Sequence, residues 1–217
     1  MKKLLILVLS LDKEPWVNLK KTQKETWVLN NSNGVDVVFY QGGKENIEFK
    51  EFENFSELYL PHSEGLYNIG HKTIKAFDFF KDKYEYIFRT NSSSYLDIDV
   101  LYNHVLKTNL DYSGYIGRHN GVEFASGSGY LISNELIKIV LENKNKWNHN
   151  YIDDVSLAFL LNEFDIKPKL AKRLDITSLN FDENAIKNRE YYHYRCKISN
   201  DRNIDTLIMK KIYNILK

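Results

Sequence analysis

Strand-like and helix-like patterns take turns along this chain. Nearly continuous apolar runs, typical of strands buried on both faces, lie at 4–9, 35–40, 84–89 and 112–116. Segments predicted to be helical, the clearest with apolar residues at every third or fourth position, are 15–27, 66–80, 98–105, 135–142, 155–164 and 204–216. Because strands alternate with helices, the pattern predicts an α/β sandwich around a largely parallel sheet.

The first apolar run has two interpretations. Two lysines followed by aliphatic residues imitate a secretory signal peptide. However, Asp12, Lys13 and Glu14 follow where a small-residue cleavage site would lie, so we expect a buried first strand. No run reaches the roughly 18 to 20 apolar residues that span a bilayer, and we expect no transmembrane anchor in this chain.

Composition narrows the class of protein. With 217 residues, 43% of them hydrophobic and 27% charged, the chain is expected to form one globular domain over 1–217. A net charge of +1 gives no reason to expect nucleic acid as a partner. The single Cys196 excludes an intrachain disulfide and argues against structural zinc, which favours a reducing, cytoplasmic compartment.

The strongest chemical signal is a pair of carboxylates, Asp153 and Asp154, which open an apolar helix after a glycine-bearing segment at 124–133. Glycine lets a ligand approach the main chain, and a helix N-terminus holds acidic side chains ionised. A positioned carboxylate beside a cleft is what a general base requires. The alternative is a plain N-cap pair, and capping and catalysis are compatible.

Four segments, in order, resemble the β-1,3-glycosyltransferases related to Fringe. Lys-Glu-Thr-Trp at 24–27 resembles the family's Arg-Glu-Thr-Trp helix, and 67–73 resembles its Tyr-x-Asn-Leu-Thr-x-Lys-Thr helix. Residues 86–101 match the strand and turn that carry its metal-binding Asp-x-Asp. Residues 126–133 and 152–155 match its Ser-Gly-Gly-Gly-Tyr and Asp/Glu-Asp-Val signatures. The resemblance covers roughly residues 3–165.

The resemblance implies a GT-A fold and an inverting transfer of a sugar from a nucleotide donor, UDP-linked in the family, to a hydroxyl of a glycan acceptor. Asp154 would be the general base and Asp153 would orient it. Donor contacts are expected at the carboxyl edge of the sheet and at two family positions: Ser10, Thr90, Asn91, Ser92, Ser93, Lys24 and Lys72. Acceptor contacts are expected at Ser126, Gly127, Trp147 and Tyr151, whose aromatic members can pack on sugar rings.

The chain departs from the family at its metal site. Asn91-Ser92-Ser93 stands where the family has Asp-Asp-Asp, and neutral oxygens are poor substitutes for the charged ligands of a divalent cation. We therefore expect no metal cofactor, with Mn²⁺ or Mg²⁺ held by Asp97 or Asp99 as the open alternative. The expected substitute is a basic strand, His193, Arg195 and Lys197, whose shared face would neutralise the diphosphate; the alternative is an ordinary strand.

Two other classes of function compete with an inverting transferase. A non-catalytic GT-A relative that binds nucleotide or glycan would account for the lost Asp-x-Asp. A sugar-activating nucleotidyltransferase would need acidic metal ligands and a glycine-rich basic loop near the N-terminus, and the sequence contains neither.

Overall fold

A large twisted sheet organises the chain, as seen in a computed structural model that describes residues 1–29, 31, 34–198 and 201–217. The strands are β1 Lys2–Leu9, β2 Asp36–Gln41, β3 Glu48–Glu51, β4 Ser56–Tyr59, β5 Tyr84–Asn91, β6 Ser94–Leu96, β7 Tyr112–His119, β8 Val122–Ser133, β9 Lys169–Leu170, β10 Leu174–Ile176 and β11 His193–Cys196. The helices are α1 Trp16–Glu25, α2 Ile69–Phe80, α3 Ile98–Lys107, α4 Asn134–Glu142, α5 Asp153–Asn162, α6 Glu183–Lys187 and α7 Arg202–Leu216.

The sheet is mostly parallel at its centre. In the described part of the chain its strand order is β3-β4-β2-β1-β5-β8-β7-β9. Strands β4, β2, β1 and β5 run parallel, whereas β8 is antiparallel to both β5 and β7. The predicted α/β architecture is confirmed.

Helices cover both faces of this sheet, because successive side chains of a strand point to opposite sides. On β1, Leu4, Ile6 and Val8 pack in one core layer, together with apolar residues of α1, α3 and α7. Leu5 and Leu7 pack in the other layer, together with apolar residues of α2, α4 and α5. The continuous apolar run of β1 reflects burial on both faces.

A second, small sheet draws the C-terminal part of the chain onto the first. Its order among the described residues is β10-β11-β6, with β11 antiparallel to β6. Because β6 follows β5 directly, β11 reaches the carboxyl end of β5, where the Cys196 amide donates to the Ser93 carbonyl at 2.7 Å. The basic strand therefore meets the edge at which ligand sites of such sheets form.

Several elements differ from the sequence prediction. Strands β3 and β4 were not predicted, because Glu-Phe-Lys-Glu on an exposed edge lacks the apolar run of a buried strand. The glycine-bearing segment, which was not predicted as a strand, is part of β8. Within the described residues, no helix combines the length and apolar character needed to cross a bilayer.

Candidate active site

A wide bulge in β8 marks the site. Gly114 pairs with Tyr130 and Ile116 pairs with Ala125, so four residues of β8, 126–129, lie opposite the single Tyr115 of β7. The bulge borders the end of β5, since Gly129 pairs with Thr90. Bulges redirect side chains and are frequent beside active sites. Here the bulge brings the backbone of 126–129 to residues from three other elements.

Asp154 binds this bulge directly. One carboxylate oxygen accepts the Gly127 N–H at 2.6 Å, and the other accepts the Val155 N–H at 2.9 Å. Burial, reinforced by the neighbouring Asp153 carboxylate, raises the pKa of Asp154 to about 6. Each carboxylate oxygen can accept a further hydrogen bond. Asp154 thus combines a fixed position with a pKa suited to a general base near neutral pH.

Asp153 has a different environment although it is the adjacent residue. Its carboxylate lies 2.7 Å from a guanidinium nitrogen of Arg89 and accepts the Thr73 hydroxyl at 3.0 Å. Arg89 also donates to the Tyr40 hydroxyl, at 3.2 Å, and to the Gly127 carbonyl. Although burial opposes it, the Asp153 carboxylate raises the pKa of Arg89 above its usual value. Asp153 is therefore neutralised by an ion pair.

Together these contacts hold both sides of one peptide group. Arg89 binds the Gly127 carbonyl, and Asp154 binds the Gly127 N–H. A Cβ on Gly127 would lie 3.0 Å from both Arg89 and Asp154, so the missing side chain makes room for the protein's own groups. The prediction that Gly127 contacts the acceptor stays a prediction.

The N-cap interpretation of the two carboxylates is wrong. The cap residue of α5 is Ile152, and Asp153 and Asp154 lie in the first helical turn. Anionic side chains are favoured there by the helix dipole. Neither residue is therefore the N-cap, although Asp154 does accept the N–H of Val155 in the first turn.

Arg89, Tyr40 and Thr73 were missed by sequence reasoning. A charged residue inside the apolar run Tyr84–Asn91 is a signal for Arg89, because a buried arginine requires a carboxylate partner. No comparable pattern marks Tyr40, and Thr73 stands only as the last residue of the 67–73 motif. Their hydroxyls lie 3.0 Å apart and meet the ion pair only in the folded chain.

The turn after β5 does not offer the ligands of a divalent cation. The Asn91 side-chain oxygen accepts the Ser93 N–H at 3.0 Å, and Ser92 donates to the Leu9 carbonyl at 3.2 Å. Ser93 accepts a 2.7 Å hydrogen bond from the guanidinium of Arg202. The oxygens are neutral and already bonded, and a cation lies beside them. These residues do not fit the metal that the resemblance implies.

The alternative metal ligands are also engaged elsewhere. Asp97 caps α3 by accepting the Val100 N–H, and it receives two 2.7 Å hydrogen bonds from Arg189. Arg189 also lies 3.5 Å from Asp99. Across the described ranges, no three His, Cys, Asp or Glu side chains are arranged to hold a metal ion.

His193 is not a cation in this structure, contrary to expectation. Its ring packs over Gly129, and its Nε2 lies 3.0 Å from the Ser94 hydroxyl, which itself donates to the Ser128 carbonyl. Burial and the nearby Arg173 guanidinium lower the pKa of His193 to about 3. The neutral imidazole is a structural neighbour of the bulge, so only Arg195 and Lys197 of the predicted trio carry charge.

Four other predicted donor contacts have clear positions. Ser10 and Thr90 lie at the carboxyl edge, where Thr90 donates to the Ser128 carbonyl at 2.5 Å and Ser10 lies 3.4 Å from the Tyr40 carbonyl. Lys72 is buried and paired with Glu64. Lys24 pairs with Glu57 at 2.6 Å, so neither lysine is an uncommitted cation.

The predicted acceptor contacts divide into two groups. Ser126 and Gly127 lie in the bulge, and Tyr151, half-buried, stacks on Phe159 with ring centres 5.3 Å apart. Trp147 is buried in the core layer of α2, α4 and α5, and its indole nitrogen lies against Gly70. Trp147 therefore has no free face for a sugar ring, which corrects its assignment to an acceptor platform.

Comparisons with known proteins bear on the fold and on one stretch of the chain. Residues 112–172 match the family model described as Galactosyltransferase, a stretch that contains the bulge and both carboxylates. No curated protein matches the chain. A solved glycosyltransferase involved in the glycosylation of the major capsid of PBCV-1 aligns with a TM-score of 0.53 and 13% identity, covering 96% of this chain and 99% of its own.

A second solved structure is more distant. The putative glucose-1-phosphate thymidylyltransferase from Bacillus anthracis, solved in complex with sucrose, aligns with a TM-score of 0.44 and 9% identity over 79% of this chain and 87% of its own, too low to bear on function. The chain has a GT-A-like glycosyltransferase fold. Together with the match over 112–172, this fold supports the conclusion that the chain is a glycosyltransferase.

Proposed function

We propose that this protein is an inverting glycosyltransferase that moves a sugar from a nucleotide donor, UDP-linked by resemblance, to a hydroxyl of a glycan acceptor. The observation that carries the proposal is the position of Asp154. Its buried carboxylate, with a pKa raised to about 6, is fixed on the Gly127 N–H beside the carboxyl end of β5. Ligands of open α/β sheets bind at that edge.

The chemistry needs one base and one displacement. Asp154 takes the proton of the acceptor hydroxyl while its oxygen attacks the anomeric carbon from the face opposite the donor's phosphate. The new carbon–oxygen bond forms as the bond to the phosphate oxygen breaks, and the electron pair leaves with the nucleoside diphosphate. A positioned general base contributes about 10²- to 10⁴-fold to such a step.

Asp153 is a positioning residue in this scheme. It holds Arg89, Arg89 holds the Gly127 carbonyl, and the N–H of the same residue holds Asp154. The ion pair with Arg89 commits the Asp153 carboxylate to a buried guanidinium. The two adjacent carboxylates therefore have separate tasks.

The test begins with the donor. Nucleotide sugars are screened by thermal shift, since a bound donor stabilises the folded state by mass action. Transfer is then measured with the donor that binds. Asp154→Asn is expected to lower kcat by about 10²-fold or more with little change in donor affinity. The control is Glu163→Gln, an exposed acid at the end of the same helix.

Two results would contradict the proposal. A folded Asp154→Asn protein with near-normal transfer would remove the base. A wild-type protein that binds nucleotide but transfers no sugar would favour the non-catalytic relative, the second candidate, which the uncharged turn Asn91-Ser92-Ser93 also fits.

A further inference from the structure

Four cations gather where the C-terminal part of the chain meets the β8 bulge. We define this basic cluster as Arg173, Arg195, Lys197 and Arg202. Burial and the Arg173 guanidinium lower the pKa of Arg195, and burial and Arg195 lower the pKa of Lys197. These directions show that the cations lie close enough to repel one another.

The cluster has too few carboxylates to neutralise it. Among the described residues its ion-pair partners are Asp175, which meets Arg173 and Arg195, and Asp205, which meets Arg202. Four cations against two carboxylates leave an excess of two positive charges. Such an unneutralised excess favours binding of an anion.

Two members of the cluster retain unused hydrogen-bond donors. Arg195 lies 3.8 Å from Asp175, beyond hydrogen-bond distance, and the Lys197 ammonium has no hydrogen-bond acceptor within the described ranges. Both line a cavity of about 240 Å³ together with Asp175 and Thr177. Guanidinium and ammonium groups facing a cavity are suited to phosphate oxygens.

The cluster adjoins the base through the bulge. Arg173 donates to the Ser128 hydroxyl at 2.6 Å and to the Ser126 hydroxyl at 3.2 Å, and its guanidinium lies 4.0 Å above the Tyr115 ring. Ser126 and Ser128 flank Gly127, whose N–H holds Asp154. A short stretch of backbone therefore separates the cations from the general base.

The side chain of Arg202 also lies beside the turn Asn91-Ser92-Ser93, at which the glycosyltransferases that this chain resembles hold their metal. Its guanidinium binds the Ser93 hydroxyl and is steadied by Asp205, 2.5 Å away. A divalent cation beside Ser93 would be repelled by this charge and would find neutral ligands. The same arrangement attracts phosphate.

We propose that the basic cluster binds the diphosphate of the donor without a divalent cation. The inference rests on the proposed function, which it extends by naming the residues that receive the leaving group. As the bond between sugar and phosphate breaks, negative charge grows on the terminal phosphate, and fixed cations stabilise it there. The excess of two positive charges matches a diphosphate diester, which carries one negative charge on each phosphate.

The experiment uses inorganic pyrophosphate as the probe, titrated calorimetrically into the full chain in excess EDTA. Saturable binding is expected. Arg195→Met and Arg202→Met are each expected to weaken it at least tenfold. The matched control is Arg118→Met, which removes an exposed arginine of β7 that is paired with Glu123.

Folding is controlled in the same series. Arg202→Met removes hydrogen bonds to Asp205 and Ser93, so its thermal unfolding is measured alongside, and Lys197→Met tests the cluster at an exposed position with no ion-pair partner in the described residues. Binding that appears only when manganese is added, or that survives Arg195→Met and Lys197→Met unchanged, would overturn the inference.

The outcome is separable from that of the proposed function. If the protein binds pyrophosphate through the basic cluster without metal but transfers no sugar, this inference stands and the proposed function is wrong. If the protein transfers sugar but binds pyrophosphate only when manganese is present, the proposed function stands and this inference is wrong.

Discussion

The Asp153 carboxylate and the Arg89 guanidinium lie 2.7 Å apart in the interior, and neither side chain is more than 5% exposed. Asp154, one residue later, has no ion-pair partner among the described residues and accepts backbone N–H groups instead. The pair gives adjacent, chemically identical side chains different properties. One is a neutralised anchor, and the other is a carboxyl whose pKa is raised to about 6.

Breaking this pair on one side is expected to destabilise the fold strongly. Arg89→Met leaves Asp153 buried without a counter-charge, which costs about 3–5 kcal/mol in the free energy of unfolding. The double variant Arg89→Met/Asp153→Asn is expected to lose less than the sum of the single variants, because no unpaired charge remains. Chemical denaturation of the four proteins measures the coupling.

The exposed pair of Lys146 and Glu163 supplies the matched control. Its side chains are about half exposed, and Lys146→Met is expected to change the free energy of unfolding by less than about 1 kcal/mol. If the changes in the free energy of unfolding caused by the Arg89 and Asp153 variants simply add in the double variant, the ion pair does not organise the interior.

The pH dependence of transfer reports the base. Because burial and Asp153 raise the pKa of Asp154 to about 6, the carboxylate is ionised above pH 6 and protonated below it. A protonated carboxyl cannot accept the acceptor's proton, so kcat/KM is expected to fall about tenfold per pH unit on the acid side of pH 6. A profile that stays flat down to pH 4.5, in a protein still folded by circular dichroism, would contradict the assignment.

His193 is expected to link stability to pH. Its folded pKa of about 3 lies below that of an unfolded histidine, near 6.5, so the unfolded state binds the extra proton first. The stabilisation from keeping the ring neutral is full above pH 6.5 and is lost as the pH falls towards 3, by about 1.4 kcal/mol per unit. His193→Gln is expected to flatten this dependence.

Asp154 acts in the opposite sense within the same pH range, so the two effects partly cancel in the wild-type protein. Its folded pKa is raised from 3.8 to about 6, so its ionisation opposes folding as the pH rises through that range. Measuring His193→Gln in both the wild-type and Asp154→Asn backgrounds separates the two contributions. An acid dependence of unfolding that is unchanged by His193→Gln would show that the ring is not held neutral.

Transfer is expected to persist in excess EDTA. The oxygens of Asn91 and Ser93 are neutral and bonded, and Arg202 supplies positive charge at the same turn. The initial rate of transfer is measured in excess EDTA and with added manganese. Arg195→Met is expected to be slower than the wild type under both conditions. Complete loss on chelation, reversed by manganese, would return attention to Asp97 and Asp99 as ligands.

Local patterns of apolar residues predicted much of the fold. The apolar run of β1 was recognisable because a central parallel strand buries both faces. Helix α2 followed from apolar spacing at Ile74, Phe77 and Phe80. The exposed strand β3 was not predicted, because edge strands need no apolar run. Trp147 was misassigned for a related reason: aromatic character does not distinguish a ring in the core from a ring in a cleft.

The sequence by itself determined the alternation of strands and helices, the order of the motifs and the presence of two acidic residues at the start of α5. Only the tertiary structure decided which of the two is neutralised, since Arg89 reaches Asp153 from a distant strand. It also decided that His193 is buried and neutral while Arg173 and Arg202 join Arg195 beside the bulge. Burial and charge pairing depend on long-range contacts, and these set the protonation and position of each group.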